Sequence, residues 1–598
     1  MSPSIADRYL TWDRYLNSSM KNLRAGRLSL QYSEGSLWNI CLGNEEIIRR
    51  IYIVFQDINW TSRPFNILNE TWDIQDDQFY AELDLSGTKD ATAFQVKLHI
   101  SGSSDGVISY GFKGTSSADF MRNRLGLCLL HPIADLAGKP CTLTLSDRSL
   151  VSSQFPLEIS PLQPFKNLLG MSYKISTGEL ANIEFSGEIF ETEDHRNWSD
   201  ASYKTYCTPI DLPFPAKVLK GSIIEQEIRF SLAGVASKSP KLVENEILVS
   251  VSNSEVGLPD FGLNLSDEYS DVDHKDFNQL GIKHLRLNLD LDSHSEASLI
   301  KAIELTKKLN LKLVIAVKAD TSNQVSEYLS TNLNLLSEVS NFLILAKTMK
   351  VTPKEFITSA RKVLGTDVSI SGGTDLYFTE INRSNPVVPG IDQINFSLNP
   401  QVHSFDDRTI IQNLATQEVI ALNAARIAGG LKVSIGPISL RPRFNPNARE
   451  PENDSSNTPL PSSVDIRQST WFTEAWTAIS MKYLAQSGAI NSATYFETVG
   501  WRGIRERSQG TTDQVNFPSM PGEKFPVWNL FTSLKGFSKC ILSYSSNPES
   551  VDSLVIRNSQ ASRLILVNFS GEGRQVHFKG LDLPPVGLPP SSTTYLDI

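Results

Sequence analysis

The sequence predicts a central (β/α)8 TIM barrel between two β-rich domains, an N-terminal β-sandwich and a small C-terminal β-sandwich. Three patterns predict it. Period-two strands fill the first part of the chain, short apolar runs alternate with amphipathic helices eight times after Pro259, and strands return after Cys540. The expected domains are residues 1–255, 256–538 and 539–598.

From about Gly26 to Ala233, segments such as IIRRIYIVFQ, FYAELDLSG, AFQVKLHISG and GVISYGFKG alternate apolar with polar residues. Gly, Asn and Ser punctuate them, as turns between antiparallel strands require. The barrel strands are then read as DFGLNL, KHLRLNLD, KLVIAVK, NFLILAK, DVSISGG, QINFSLN, KVSIGPISL and SATYFETVG. Helical patterns lie between them, among them EASLIKAIELTKKLN, TPKEFITSARKVLG, TIIQNLATQEVIALNAARIAGG and STWFTEAWTAISMKYLAQSG. A doubly wound open sheet is the competing reading, but it rarely needs eight strands and should show a Gly-rich phosphate turn, which the sequence lacks. After Cys540, SLVIRNS, SRLILVNFSG, RQVHFKG and STTYLDI read as strands again.

The 598 residues carry 56 Lys and Arg against 66 Asp and Glu, a net charge of −10. That balance argues against nucleic acid or an anionic membrane as partner, since both select for clustered positive charge. No apolar run reaches the length of a transmembrane helix, and the opening residues lack the apolar stretch of a signal peptide, so a cytoplasmic protein is expected. Five scattered cysteines without a Cys-x-x-Cys pair indicate neither a disulfide framework nor a zinc ribbon. Nothing in the sequence specifies an oligomeric state.

The carboxyl ends of barrel strands converge on one mouth, so the strand assignment yields candidate residues directly. Arg286 follows strand two; Asp375, Tyr377, Glu380, Asn382 and Arg383 follow strand five; Asn399, Gln401, His403 and Asp406 follow strand six. Arg441, Arg443, Asn445 and Asn447 follow strand seven, and Glu497, Trp501 and Arg502 follow strand eight. Carboxylates, an imidazole, amides and guanidinium groups suit a polyhydroxylated substrate with a carbonyl or carboxylate, and Trp501 offers a face to a sugar ring. Each also has a plainer role: Arg286 as a strand tie, Glu380 as a solvated helix residue, His403 as a structural histidine, the asparagines as turn formers, Trp501 as packing. No metal or cofactor is expected, because His403 has no second histidine in its loop; His131 or His195 reaches it only if the N-terminal domain folds over the barrel. A Gly-x-Ser-x-Gly elbow is also missing, which disfavours a serine hydrolase.

The N-terminal domain holds one stretch that does not read as filler. GEIFETEDHRNWSDASYKTYCTP packs Glu193, Asp194, His195, Arg196, Asn197, Trp198, Asp200 and Lys204 together with Tyr203 and Tyr206. DFMRNRLGLCLLHP is a second dense segment, and an ion-pair network joining the two domains is the plain alternative.

RNRLGLCLLHP, EDHRNWSDASYKTYCTP, TDLYFTEINR, NPQVHSFDD and PRFNPNA resemble the recurrent motifs of the D-apionate lactonase family, in the right order across both large domains. The resemblance implies a bacterial catabolic hydrolase of glycosidase-like layout that opens D-apionolactone to D-apionate. Such chemistry needs a positioned water, a base and donors for a tetrahedral oxyanion. Glu497 or Glu380 is expected as base and His403 as acid toward the departing ring oxygen, with Arg286, Arg443 or Asn399 at the oxyanion. Asn382, Arg383, Asn445 and Trp501 are expected at the substrate, with Asp194, Arg196 and Lys204 gripping its hydroxyls from above. A glycosidase using the non-standard pair Glu380 and Glu497 is the rival, since strands four and seven end without a carboxylate. A non-catalytic carbohydrate-binding protein is the third reading.

Overall fold

The computed structural model describes residues 20–88, 92–234, 246–266, 272–293, 296–446 and 460–598. The opening residues and the candidate Asn447 lie outside the described residues. Among those described, no helix is long and apolar enough to cross a membrane.

Between Lys21 and Ala233 the chain forms antiparallel strands around one apolar core. Burial follows the pleat: in Phe79–Gly87, Phe79, Ala81, Leu83 and Leu85 are buried while Tyr80 and Glu82 are exposed. Each such leucine contributes roughly 1.5–3 kcal/mol by leaving water. The strand Arg124–Pro132 is buried at every position, because Glu45–Gln56 pairs with one edge and Ser202–Tyr206 with the other. Leu125, Leu127 and Leu129 enter the core. Cys128, on the opposite face, packs with Val54 and Tyr206.

The barrel closes as the sequence predicts. Strands β1 (Asp260–Asn264), β2 (His284–Asp290), β3 (Lys312–Ala319), β4 (Val339–Ala346), β5 (Ser369–Gly373), β6 (Gln393–Leu398), β7 (Lys432–Ile438) and β8 (Ser492–Glu497) pair in parallel, and β8 returns to β1. The surrounding helices include α1 (Glu296–Leu309), α2 (Ser322–Thr331), α3 (Lys354–Leu364), α4 (Phe378–Arg383), α5 (Thr416–Ala428) and α6 (Trp471–Gln486). The helix expected to run unbroken from Thr409 is instead divided at Asn413–Ala415. Asn413 turns toward the N-terminal domain, where its Oδ1 accepts from the Ala201 N–H at 2.8 Å.

The third domain departs from the expected division. Ile247–Gly257, most of which the expected boundary at residue 255 puts in the N-terminal domain, pairs with Lys539–Ser545 and Arg574–Lys579. It lies inside a seven-stranded sheet otherwise built from the C-terminal segment. Alternation shows that a strand has one buried face but does not say whose core buries it. Helix α6 explains how this sheet is attached. Lys482 reaches Asp552 at 2.6 Å and Tyr595 donates to Glu474 at 2.8 Å. Covered by the barrel on one side and this sheet on the other, α6 buries all but its first residue and so lacks a strong amphipathic stripe.

Candidate active site

The floor of the barrel mouth is an arginine–carboxylate cluster. Arg286 on β2 is buried; its Nη1 donates to the Gly436 carbonyl at 2.7 Å, its Nε to Asn288 Oδ1 at 2.9 Å and its Nη2 to Asp375 Oδ1 at 3.0 Å. Arg443 reaches the same Asp375 oxygen at 2.8 Å, and the Lys318 ammonium lies 3.9 Å from the other. Burial alone would raise the Asp375 pKa, but Arg443, Arg286 and Lys318 outweigh it and hold the carboxyl below its usual range. Burial pushes the Arg286 guanidinium down to about 10, which still leaves it charged at neutral pH. These four side chains carry a surplus of two positive charges. A shallow pocket beside them, with a free volume of about 10 Å³, is lined by Asp375, Tyr377, Asn399, Ser439, Arg443 and Phe444.

Glu497 enters the mouth through a bulge. Along β8, Thr494 bonds His284 on the next strand but one, and Tyr495 points to Ser480 on α6 at 2.8 Å. A regular strand would send Glu497 the way of Tyr495, out of the barrel. The register steps from Leu263↔Tyr495 to Asn264↔Glu497, leaving Phe496 as an extra residue at φ 39°. Such a bulge reverses the parity of the strand beyond it, at the cost of placing a buried aromatic residue in the left-handed region. Glu497 consequently lines a cleft of about 240 Å³ with Ser266, Val464, Trp501, Arg502 and Arg507. Arg502 Nε holds its carboxylate at 2.8 Å. The Trp501 indole N–H donates to Thr511 Oγ1 at 2.8 Å, and its ring packs on Phe517. Asn264 and Asn288 link this side to the floor: Asn264 Nδ2 donates to the Phe496 carbonyl at 2.9 Å and Asn288 Nδ2 to Asn264 Oδ1 at 3.4 Å.

On the opposite side the N-terminal domain meets the rim. Asn382 on α4 donates to Asn197 Oδ1 at 2.9 Å, Arg383 to the Pro161 carbonyl at 2.9 Å, and Asn445 to the Asn59 carbonyl at 3.0 Å. These three of the residues expected at the substrate therefore make contacts that fasten the domains. Glu380 is buried on α4 and paired with Lys350 at 3.1 Å. Asn399 accepts the Gln401 N–H at 3.2 Å.

The charged N-terminal stretch forms the hairpin Phe190–Asp194, a 3₁₀ turn His195–Trp198, and Ser202–Tyr206. Asp194 caps the turn and binds Arg196 through Nε at 2.9 Å and Nη2 at 2.7 Å; Arg196 also satisfies the Pro156 and Leu157 carbonyls. Both side chains are fully enclosed, so their polar atoms serve the hairpin itself. The neighbours reach outward. His403, from the loop after β6, sets Nδ1 2.7 Å from Asp200 Oδ2, and its ring lies parallel to that of His195 with centroids 4.2 Å apart. His195 Nε2 is 3.2 Å from Glu193 Oε1 and its Nδ1 3.3 Å from Ser202 Oγ, while Lys204 Nζ donates to Glu193 at 3.2 Å. Burial would raise the Glu193 pKa, but Lys204 and His195 pull it well below the carboxylate range. Burial, reinforced by the charge on His403, lowers His195 to about 4.

The N-terminal domain thus brings His195, though not His131, to His403; His131 is buried against Thr205 at 2.9 Å. His195, Asp200 and His403 offer ligand atoms within 4.8 Å of one another. Two imidazoles share a metal only if their in-plane lone pairs converge. A stack tilted by 4° keeps those lone pairs in separate parallel planes, so one ring would have to rotate.

Glu380, His403 and Glu497 therefore have three different partners, Lys350, Asp200 and Arg502, and no hydrogen bond joins them. Sequence reasoning did not single out Asp200, Glu193 or Lys318 from their surroundings. For Asp200 the density of charge around Trp198 was the available signal; its partner, 203 residues away, was not readable.

Two family models match the chain: "D-apionate lactonase, N-terminal domain" over residues 10–235 and "D-apionate lactonase, TIM barrel domain" over residues 266–539. A D-apionate lactonase of Brucella anthropi is 26% identical over 553 residues, covering 86% of this chain and 87% of the relative. Among solved structures, a GH30 endoxylanase from Clostridium papyrosolvens matches with a TM-score of 0.37 at 9% identity, over 59% of this chain and 97% of that one. A beta-arabinopyranosidase matches with a TM-score of 0.29 at 8% identity, over 97% and 98% of the respective chains.

Proposed function

The chain belongs to the D-apionate lactonase family, and on that premise we propose that it opens D-apionolactone to D-apionate at the barrel mouth. It is a hydrolase of a lactone, a cyclic carboxylic ester. The observation that carries the finer reading is the cation surplus around Asp375. Ester opening converts a neutral carbonyl into an oxyanion and then a carboxylate, and both gain from uncompensated positive charge. Glycoside cleavage instead builds positive charge on the sugar ring, which such a floor would oppose.

In this reading Glu497 takes a proton from the attacking water while the new C–O bond forms at the lactone carbonyl. Arg443 and Lys318 stabilise the oxyanion; Arg286, fully engaged by Gly436, Asn288 and Asp375, holds the floor in place. As the ring C–O bond breaks, His403 protonates the departing oxygen. The product acid then ionises against the cation surplus.

Acid release from D-apionolactone, other aldonolactones and aryl glycosides, followed with a pH indicator, tests this reading. Opening confined to lactones and fastest with D-apionolactone is expected. Arg443→Met should lower kcat about 10²–10³-fold and Glu497→Gln about 10²–10⁴-fold. Aryl-group release without lactone opening would overturn the reading, and a wild-type rate in Glu497→Gln would remove it as the base.

A further inference from the structure

We infer that the N-terminal domain supplies part of the proton-transfer machinery: Asp200 is a positioning residue that fixes the tautomer and orientation of His403 across the domain border. The inference rests on the lactone-opening reading, in which His403 is the acid.

Asp200 is nearly inaccessible, with its side chain 5% exposed, whereas the His403 side chain is 20% exposed. A carboxylate held in this way is an acceptor, so the 2.7 Å contact places a hydrogen on His403 Nδ1 and leaves Nε2 as the nitrogen that gains and loses the catalytic proton. A base oriented through its second nitrogen by a buried carboxylate is the arrangement that acid–base catalysis requires. The loop bearing His403 starts at Asn399, which lines the same pocket as Asp375 and Arg443.

The surrounding contacts restrain both partners. Asn413 donates to Asp200 Oδ1 at 3.4 Å and accepts the neighbouring Ala201 N–H, tying the hairpin to the barrel. The His195 ring, stacked flat on His403, blocks rotation of the imidazole and is itself fixed by Glu193 and Ser202. Burial, with His403 facing it, holds the His195 pKa down to about 4, so His195 stands neutral against His403 at neutral pH. The charged and titratable groups around His403 include Asp200, His195, Glu193 and, across the Trp198 ring, Arg383.

The proton balance closes. His403 gives its Nε2 proton to the ring oxygen as the acyl C–O bond breaks, and it becomes neutral with Nδ1–H still on Asp200. The proton that the base takes from water returns to solvent, from which His403 is recharged.

A double-mutant cycle on the full chain, with D-apionolactone as substrate, tests this role. Asp200→Asn should reduce kcat about 10²–10⁴-fold with KM changed less than about threefold. Its alkaline limb should move to lower pH, since His403 loses the charge that favours its protonation. Asp200→Glu, which keeps the acceptor, should recover part of the rate and guards against a folding defect in the asparagine variant. Because Asp200 acts through His403, Asp200→Asn combined with His403→Asn should be no slower than His403→Asn alone. Losses that multiply, or a wild-type rate and pH profile in Asp200→Asn, would overturn the role. So would activity that rises with added zinc and vanishes with a chelator, which would make His403 a ligand. A wild type that opens no lactone overturns the reaction and this role together; a lactonase unaffected by Asp200→Asn overturns the role alone.

Discussion

Asp194 and Arg196 show how closely binding chemistry and structural chemistry resemble each other in sequence. Their charges look available, yet the side chains are 0% and 1% exposed and bind each other and nearby backbone. Removing one member of such a pair strands the other charge in the interior. Arg196→Met should therefore cost about 3–5 kcal/mol, read as a lower chemical-denaturation midpoint. Glu474 offers a second residue-scale prediction. Burial raises its carboxyl from 4.5 to about 7, although Tyr595 and Asn529 hydrogen bonds oppose the shift. The folded state thus holds this proton more tightly than the unfolded chain. Its contribution is complete below pH 4.5, is lost as pH rises through about 7, and amounts to about 3 kcal/mol. Glu474→Gln should flatten that decline, which denaturation midpoints at about pH 5 and about pH 8 would measure.

Elements were legible where their period was set by local burial, and their pairing was legible only where topology dictated it. All eight barrel strands followed from apolar runs separated by helices, because parallel neighbours in a closed barrel come in chain order. Ile247–Gly257 alternates in burial only over its first five residues, and its partners come after the whole barrel in sequence. The site was readable to the same extent. Arg286, Asp375 and Arg443, read from separate strand ends, meet in one cluster, whereas the separate cleft of Glu497, the bulge at Phe496 and the contact between Asp200 and His403 depend on packing that spacing does not encode. A truncated chain starting at residue 246 should keep its C-terminal sheet, while one starting at 258 should lose an interior strand and aggregate through the opened edges. Soluble yield of the two truncations decides it.

At the scale of the whole molecule, three hydrophobic units are joined by polar fasteners of different kinds. Asn382, Arg383, Asn413 and Asn445 tie the N-terminal domain to the barrel largely through backbone groups, an arrangement that tolerates little drift. The C-terminal sheet is held instead through α6, by the enclosed Lys482–Asp552 pair and the Glu474–Tyr595 hydrogen bond. Catalysis by the barrel alone is not expected, because the carboxylate facing His403 belongs to another domain. A barrel separated from the N-terminal domain should lose lactone opening, and adding that domain back in trans should restore it only where the two rebind.

The interleaving of the C-terminal sheet also bears on synthesis. Residues 247–257 leave the ribosome roughly 280 residues before the segment that covers their edge. At a translation speed of about 5–20 residues per second, that interval is ~15–55 s. Throughout it the nascent chain displays an unsatisfied β-edge beside a barrel still being assembled, which makes this strand the natural target for a chaperone and the first place where crowded expression would go wrong.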